Sequence, residues 1–224
     1  MNKQLAILQL DTNFKRIAGD ICCKKTFLRN VNIIKINNAS VSEIISKDQN
    51  EQHYVNFKNQ ILLRKEDVIT TSCGFTYNWQ STLNKLTKSD VITSSLCCLD
   101  EKRKVYNDDE ILIFTFDEEI LNFLLFSKLK IPFEGHILGL KKNNLLYQII
   151  LNNQKNYDYK KICLELNELL WNAIKNLKIK LIILECTNLS PYKRFFRNIF
   201  SGEIIDLLVL IEKKIPGIIQ KEFL

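Results

Sequence analysis

The chain has 224 residues, of which 46% are hydrophobic and 25% are charged, so it can bury one large α/β core or two smaller ones. This composition excludes a disordered protein, and six Gly and three Pro exclude a collagen-like or Pro-rich one. The chain has no run of about 18 apolar residues, so no transmembrane helix is predicted. The apolar stretch at residues 5–10 is too short for the core of a signal peptide. We therefore expect a cytoplasmic protein whose seven cysteines stay reduced.

The net charge of +7 raises the question of a nucleic-acid partner. The lysines are scattered, however, and the densest basic group is only Lys193, Arg194 and Arg197. A solvated, Lys-rich surface is therefore the favoured interpretation. The vicinal pairs Cys22-Cys23 and Cys97-Cys98 suit zinc poorly, and the chain has only two histidines. We predict no nucleic-acid partner, no membrane contact and no metal site.

Short apolar segments, each followed by polar or turn-forming residues, are predicted strands. They lie at residues 4–10, 31–36, 67–71, 90–93, 111–116, 135–140, 180–185 and 204–211. Helices are predicted from Phe75 onwards, after the acidic turn at 117–119, over 158–177, and from an N-cap at Ser190 with Pro191 in the first helical position. Buried strands that alternate with helices favour an α/β fold with mainly parallel sheets.

The order of predicted elements occurs twice. In each half a strand ends in a cysteine that precedes a helix, first at Cys73 and then at Cys186. We therefore predict two pseudo-symmetric α/β domains with the active site between them. The first domain covers residues 1–98 plus 209–224 and carries Cys73, and the second covers 99–208 and carries Cys186.

The two cysteines lie where ligands bind in parallel α/β sheets, beyond the carboxyl ends of strands. A following helix is expected to lower the pKa of each thiol. Two thiols facing each other across a cleft suit the inversion of a stereocentre. One thiolate removes a proton from a carbon, and the other thiol delivers a proton to the opposite face. The alternative for either cysteine is simple packing in the core.

Four segments resemble motifs of the aspartate/glutamate/hydantoin racemase superfamily, and most closely its cytosolic aspartate/glutamate racemase branch. They are LQLDTNFKRIAGDI at 8–21, ITTSCGF at 69–75, VITSSL at 91–96 and LECTNLSPY at 184–192. The first is similar to the LDTxFxRxPGD opening of that branch. The second and fourth resemble its two cysteine motifs, and the third resembles the strand between them. Their order and spacing agree along nearly all of the chain.

The resemblance implies an amino-acid racemase of the aspartate/glutamate type with the racemase fold. Such an enzyme needs no cofactor and therefore no pyridoxal phosphate. Cys73 and Cys186 would be the two bases. The partners it implies are a small amino-acid or dicarboxylate substrate and, in a homodimer, a second copy of the chain. The implied substrate-binding residues lie beside the two cysteines and after the first strand. They are Asp11, Thr12, Arg16, Ser72, Gly74, Phe75, Ser94, Ser95, Thr187 and Asn188.

Two of these residues are charged. Arg16 suits a second substrate carboxylate, since guanidinium groups bind carboxylates in a bidentate way; a structural ion pair is the alternative. Asp11 is expected to orient a thiol or to bind the substrate ammonium, or else to end the first strand as a turn residue. Ser94 and Ser95 have the alternative of capping the next segment.

The sequence departs from well-studied glutamate racemases beside both cysteines. Cys73-Gly74-Phe75 stands in place of Cys-Asn-Thr, and Cys186-Thr187-Asn188 in place of Cys-Thr-His. Two alternatives therefore stay open. One is a racemase or isomerase of another carboxylate or of a hydantoin-like compound. The other is a catalytically silent homologue that only binds a ligand.

Overall fold

The computed structural model describes residues 3–224, which form two four-stranded sheets with surrounding helices. The strands are β1 (Leu5–Gln9), β2 (Asn32–Lys35), β3 (Val68–Thr71), β4 (Asp90–Ile92), β5 (Ile111–Thr115), β6 (His136–Gly139), β7 (Leu181–Leu184) and β8 (Glu203–Ile205). The α-helices are α1 (Val41–Ile44), α2 (Glu51–Leu62), α3 (Gln80–Asn84), α4 (Leu99–Lys102), α5 (Glu118–Asn122), α6 (Leu145–Leu151), α7 (Tyr159–Ile174), α8 (Lys193–Phe196) and α9 (Leu207–Lys214). Short 3₁₀ helices cover Lys24–Thr26, Gly74–Trp79, Ser95–Cys98, Asp108–Glu110, Thr187–Tyr192 and Lys221–Phe223, and a π-helical turn covers Phe123–Lys128.

The two sheets have the same topology. The strand order is β2-β1-β3-β4 in the first sheet and β6-β5-β7-β8 in the second, and neighbouring strands are parallel throughout. In the central pairs, Leu8 lies opposite Thr71 and Phe114 lies opposite Leu184. The prediction of an α/β fold built from two similar, parallel halves is confirmed.

Apolar burial explains why the central strands form. All four residues of β3 and of β7 are buried, and β1 has only its last residue partly exposed. Each fully buried Leu or Ile side chain stabilises the fold by about 1.5–3 kcal/mol. Because the parallel strands start at the same edge, their carboxyl ends bring the following loops together.

Two local predictions are wrong. The predicted strand at 204–211 ends at Ile205, because Asp206 caps α9 by accepting a hydrogen bond from the Val209 N–H at 3.1 Å. The predicted N-cap at Ser190 is also wrong. The helix begins four residues earlier than predicted, at Thr187 with Cys186 as its N-cap, and Pro191 lies inside it.

Helix α9 connects the end of the chain to both halves. It contacts β4 and the Ser95–Cys98 segment in the first half and the Thr187–Tyr192 segment in the second. The predicted domain boundaries stay a prediction. Within residues 3–224, no helix is both long and apolar enough to cross a membrane.

Candidate active site

Cys73 and Cys186 occupy equivalent positions in the two halves. Each lies two residues beyond the end of a central strand, β3 or β7, and each is the N-cap residue of a 3₁₀ helix. Both side chains are buried, and both line one narrow cavity. This geometry brings two nucleophilic groups from separate sheets to one small space.

Most of the predicted site residues line this cavity. They are Thr12, Arg16, Ser72, Cys73, Gly74, Phe75, Cys186, Thr187 and Asn188. The other lining residues are apolar, with the exception of Glu185. The apolar ones are Leu10, Phe14, Val41, Ile45, Phe116 and Ile150.

Three predicted residues lie outside the cavity lining. Asp11 forms an ion pair with Lys35 at 2.8 Å, and the hydrogen bond from Lys35 lowers the pKa of the Asp11 carboxyl. The Ser94 hydroxyl accepts from the Leu96 N–H at 3.2 Å, and the Ser95 hydroxyl donates to the Leu184 carbonyl at 2.8 Å. The two serines thus serve as a cap and as a link between the halves.

Arg16 lines the cavity but is already paired. Its Nη1 donates to both carboxylate oxygens of Asp20, at 3.0 and 3.2 Å, and its Nη2 donates to Thr12 at 2.8 Å. The Asn188 amide of the second half also donates to Asp20, at 2.7 Å. The structural ion pair, left open as an alternative, is therefore present. Asp20 was not predicted to be a site residue, although it is the second acidic residue of the opening motif at 8–21.

Glu185 is a second residue that the sequence analysis missed. Its side chain is 1% exposed, and its Oε2 accepts a hydrogen bond from the Thr115 hydroxyl at 2.6 Å. Its Oε1 has no hydrogen-bond partner among residues 3–224. Burial raises the pKa of Glu185 to about 7, and the Thr115 hydrogen bond opposes that rise. The available signal was a carboxylate at the end of an otherwise apolar strand, directly before a cysteine.

The carboxyl group of Glu185 lies against the backbone of Gly74. A Cβ atom at residue 74 would collide with the side chain and with the carbonyl oxygen of Glu185. Glycine is therefore required for close approach of the two loops. The loops are also joined by a hydrogen bond from the Thr187 hydroxyl to the Ser72 carbonyl at 2.7 Å.

The pKa values of the two thiols shift in the direction opposite to the prediction. Burial raises the pKa of Cys73 to about 12 and raises that of Cys186 well above its usual value, and the charge of Glu185 adds to both increases. Hydrogen bonds from backbone N–H groups oppose the increase, as does the charge of Arg16 at Cys73. The prediction of lowered thiol pKa values is therefore wrong, because the loss of hydration outweighs these donors.

Across the described residues, no group of three or more His, Cys, Asp or Glu side chains is placed to hold a metal ion.

The architecture of the chain is similar to that of several solved structures. The chain is similar to allantoin racemase from Pseudomonas fluorescens, with 9% identity, 97% of this chain and 94% of that chain covered, and a TM-score of 0.60. It is also similar to glutamate racemase from Francisella tularensis in complex with D-glutamate (15% identity, 96% and 83% covered, TM-score 0.56). A third match is an aspartate racemase homologue from Pyrococcus horikoshii (12%, 95% and 97%, TM-score 0.53). The chain has the two-domain α/β fold of these racemases.

The racemase fold accounts for the duplicated topology, since the matched racemases also have two α/β domains. At identities of 9–15% the similarity establishes the fold alone. No protein-family model and no curated protein matches the sequence. The chemistry must therefore be argued from the residues around the cavity.

Proposed function

We propose that the protein is a cofactor-independent racemase, an isomerase that inverts the α-carbon of a small amino acid by proton transfer involving Cys73 and Cys186. One observation carries the proposal: two thiols from equivalent strand ends of two similar halves line a single small cavity. A substrate carbon between them would meet one sulfur on each face.

In this mechanism one thiolate removes the α-proton and the other thiol donates a proton to the opposite face. Because the thiol pKa values are raised, the thiolate is a minor form of the free protein. N–H groups that hydrogen-bond to the sulfur atoms, those of Phe75 and Thr76 at Cys73 and of Asn188 at Cys186, favour the thiolate. The Ser72 hydroxyl beside Cys73 lines the cavity and is a candidate partner for the substrate carboxylate, whereas the Thr12 hydroxyl is already used by Arg16 and by the Leu10 carbonyl.

The sequence motifs favour aspartate or glutamate as the substrate, and such a substrate needs a cation for its second carboxylate. Arg16 is the one Lys or Arg in the described lining of the cavity, and its charge is balanced by Asp20. Seven lining residues have aliphatic or phenyl side chains. These two observations support an apolar substrate side chain over an acidic one, because an unpaired buried carboxylate is costly.

Two further functions follow from the same cavity. A racemase or isomerase of another carboxylate or of a hydantoin-like compound would use the same pair of thiols. A ligand-binding homologue without catalysis would use the cavity alone. The predicted homodimer and cytoplasmic location belong to the proposal as well.

The test is exchange of the substrate α-proton with solvent. The purified protein is incubated in D₂O with single L- and D-amino acids, aspartate, glutamate, leucine and phenylalanine among them, and the α-proton signal is followed by NMR. We expect exchange in the wild type and its loss in the double variant Cys73→Ser/Cys186→Ser. Cys97→Ser, which alters an exposed thiol, is the matched control and should exchange at the wild-type rate.

Exchange that survives in the double variant would refute the proposal. Exchange of a hydantoin or a non-amino carboxylic acid, with none of any amino acid, would favour the second function. Tight binding without exchange would favour the ligand-binding homologue.

A further inference from the structure

The cavity wall contains a carboxyl oxygen that nothing in the described chain uses. Oε1 of Glu185 is buried without a partner, while Oε2 is held by Thr115. A carboxylate with an unsatisfied buried oxygen is expensive unless a ligand supplies the missing donor. The hydrogen bond from Thr115 and the contact with Gly74 fix the carboxyl group in place, so it is preorganised for that donor.

The other carboxylates near the cavity are occupied. Asp20 is bound by Arg16 and by Asn188. Asp11, the predicted partner of a substrate ammonium, lies outside the cavity lining and is paired with Lys35. Among the described residues that line the cavity, Glu185 is therefore the carboxyl group that remains available to a cation.

We propose that Glu185 binds the ammonium group of the substrate, so that the substrate class is α-amino acids rather than hydantoins, malonates or simple carboxylic acids. This assignment rests on the proposed function and moves the expected role of Asp11 from the first half to Glu185 in the second half. It also explains the departure at the first cysteine motif, since the Glu185 carboxyl fills the space that a side chain at Gly74 would need.

Substrate binding then changes the two thiols. The charge of Glu185 is one of the causes that raise the pKa values of Cys73 and Cys186. An ammonium group placed against Glu185 compensates that charge, and it is itself a cation close to both sulfur atoms. Amino-acid binding therefore favours thiolate formation, and a ligand without an amine does not.

The assignment sets a direction for the pH dependence. The titratable groups that the charge of Glu185 acts on are Cys73 of the first half and Cys186 of its own segment, and the charges of Arg16 and Asp20 act in turn on Cys73 and on Cys186. Since the pKa of Glu185 is about 7, the group is mostly neutral below that pH in the free protein. An ammonium ligand must displace its proton there. Affinity for amino acids should then rise about tenfold per pH unit up to pH 7.

The experiment compares pairs of ligands that differ only in the amine. Leucine in both configurations is compared with 4-methylpentanoate, and the other amino acids of the exchange panel with their deaminated acids. Binding is measured by isothermal titration calorimetry at pH 6 and pH 7.5. Glu185→Gln keeps the shape of the side chain and removes its charge, and Thr115→Ser keeps the hydroxyl and is the matched control.

We expect at least one amino acid to bind the wild type with a dissociation constant at least tenfold lower than that of its deaminated acid. In Glu185→Gln that amino acid should lose at least tenfold in affinity and its pH dependence, while the deaminated acid binds as before. The infrared band of a protonated carboxyl, isolated as the difference between wild type and Glu185→Gln at pH 6, should disappear when the amino acid is added. A structural role for Glu185 would not produce this change.

Three results would overturn the assignment: binding of deaminated acids only, no binding of any amino acid, or amino-acid affinity unchanged in Glu185→Gln. Proton exchange in D₂O separates this inference from the proposed function. Exchange of an amino acid that is unaffected by Glu185→Gln leaves the racemase and removes the ammonium site. Glu185-dependent binding of amino acids without proton exchange would support the ammonium site and refute the racemase.

Discussion

The two halves of the molecule share a backbone plan but differ in the side chains next to the cysteines. The N–H groups of Ser72 and Glu185 donate to equivalent carbonyls, of Leu8 and of Phe114. Ser72 has a small hydroxyl side chain, which accepts a hydrogen bond from the Leu10 N–H at 3.0 Å, whereas its counterpart Glu185 has a buried carboxyl group. Duplication thus accounts for the sheets and the thiols, and the unequal neighbours determine the polarity of the site.

A second difference lies after the first strand of each half. In the first half a long segment follows β1 and contributes the Arg16–Asp20 ion pair to the site. In the second half Asp117 caps α5 almost immediately after β5, by accepting from the Ile120 N–H at 3.0 Å. The charged groups of the cavity therefore come from different elements in the two halves, and each can be tested against its counterpart.

Removing one thiol at a time should have the largest effect. Cys73→Ser and Cys186→Ser should each lower the racemisation rate by about 10³-fold, since each removes one acid or base. Each single variant should still exchange the α-proton of one enantiomer, and the two variants should retain opposite enantiomers. NMR in D₂O with separate enantiomers measures this. Loss of the same enantiomer in both variants would mean that the thiols do not face opposite sides of the substrate.

The two acids that follow β1 should differ in their effect on stability. Asp20→Asn leaves the largely buried Arg16 uncompensated, and breaking such a pair costs about 3 kcal/mol. Asp11→Asn breaks a pair with Lys35 that is more than one-third exposed, which is worth about 0.5 kcal/mol or less. Urea unfolding at pH 7 measures both changes. Equal losses would show that the Arg16–Asp20 pair is not the stronger one.

The buried acid should make stability depend on pH, and its counterpart Ser72 should not. The pKa of Glu185 is raised from 4.5 to about 7, so the folded state retains a proton that the unfolded state has lost. The stabilisation is complete below about pH 4.5 and is lost as pH rises towards 7, with a total of about 3 kcal/mol.

Unfolding of wild type and Glu185→Gln across this pH range measures the effect. The stability difference between the two should change by most of that amount, in favour of Glu185→Gln at the higher pH. Ser72→Ala removes the bond to Leu10 and should cost about 1 kcal/mol at every pH. A pH-independent difference for Glu185→Gln would refute the raised pKa.

The residues that follow the two cysteines should differ in their tolerance of substitution. Gly74→Ala forces a Cβ into Glu185 and should lower the free energy of unfolding by about 2 kcal/mol. Thr187→Ser keeps the hydroxyl that bonds to Ser72 and should cost less than about 1 kcal/mol. Thermal unfolding compares them. A neutral Gly74→Ala would mean that the loops have room to separate.

The sequence was informative where apolar periodicity is strong. Seven of the eight strands are found close to their predicted bounds, because short buried runs bounded by polar residues have few other solutions. The same rule was wrong for IIDLLVLI, since a short apolar run also suits one face of a buried helix. Asp206 was the available cap signal.

Site chemistry was harder to predict because it depends on contacts between distant segments. The cysteine motifs led to the cavity, but the pairing of Arg16 with Asp20 and the orientation of Asp11 are tertiary features. The thiol pKa values were predicted from the following helices alone, and burial dominates them. Glu185 was considered only as the end of a strand, although a lone carboxylate there is unusual.

Two buried hydrogen bonds fasten the cysteine loops across the boundary between the sheets, from Thr187 to the Ser72 carbonyl and from Ser95 to the Leu184 carbonyl. A hinge that swung the sheets apart would have to break both at once. We therefore expect small molecules to enter and leave the cavity without separation of the two sheets, while these two hydrogen bonds stay in place.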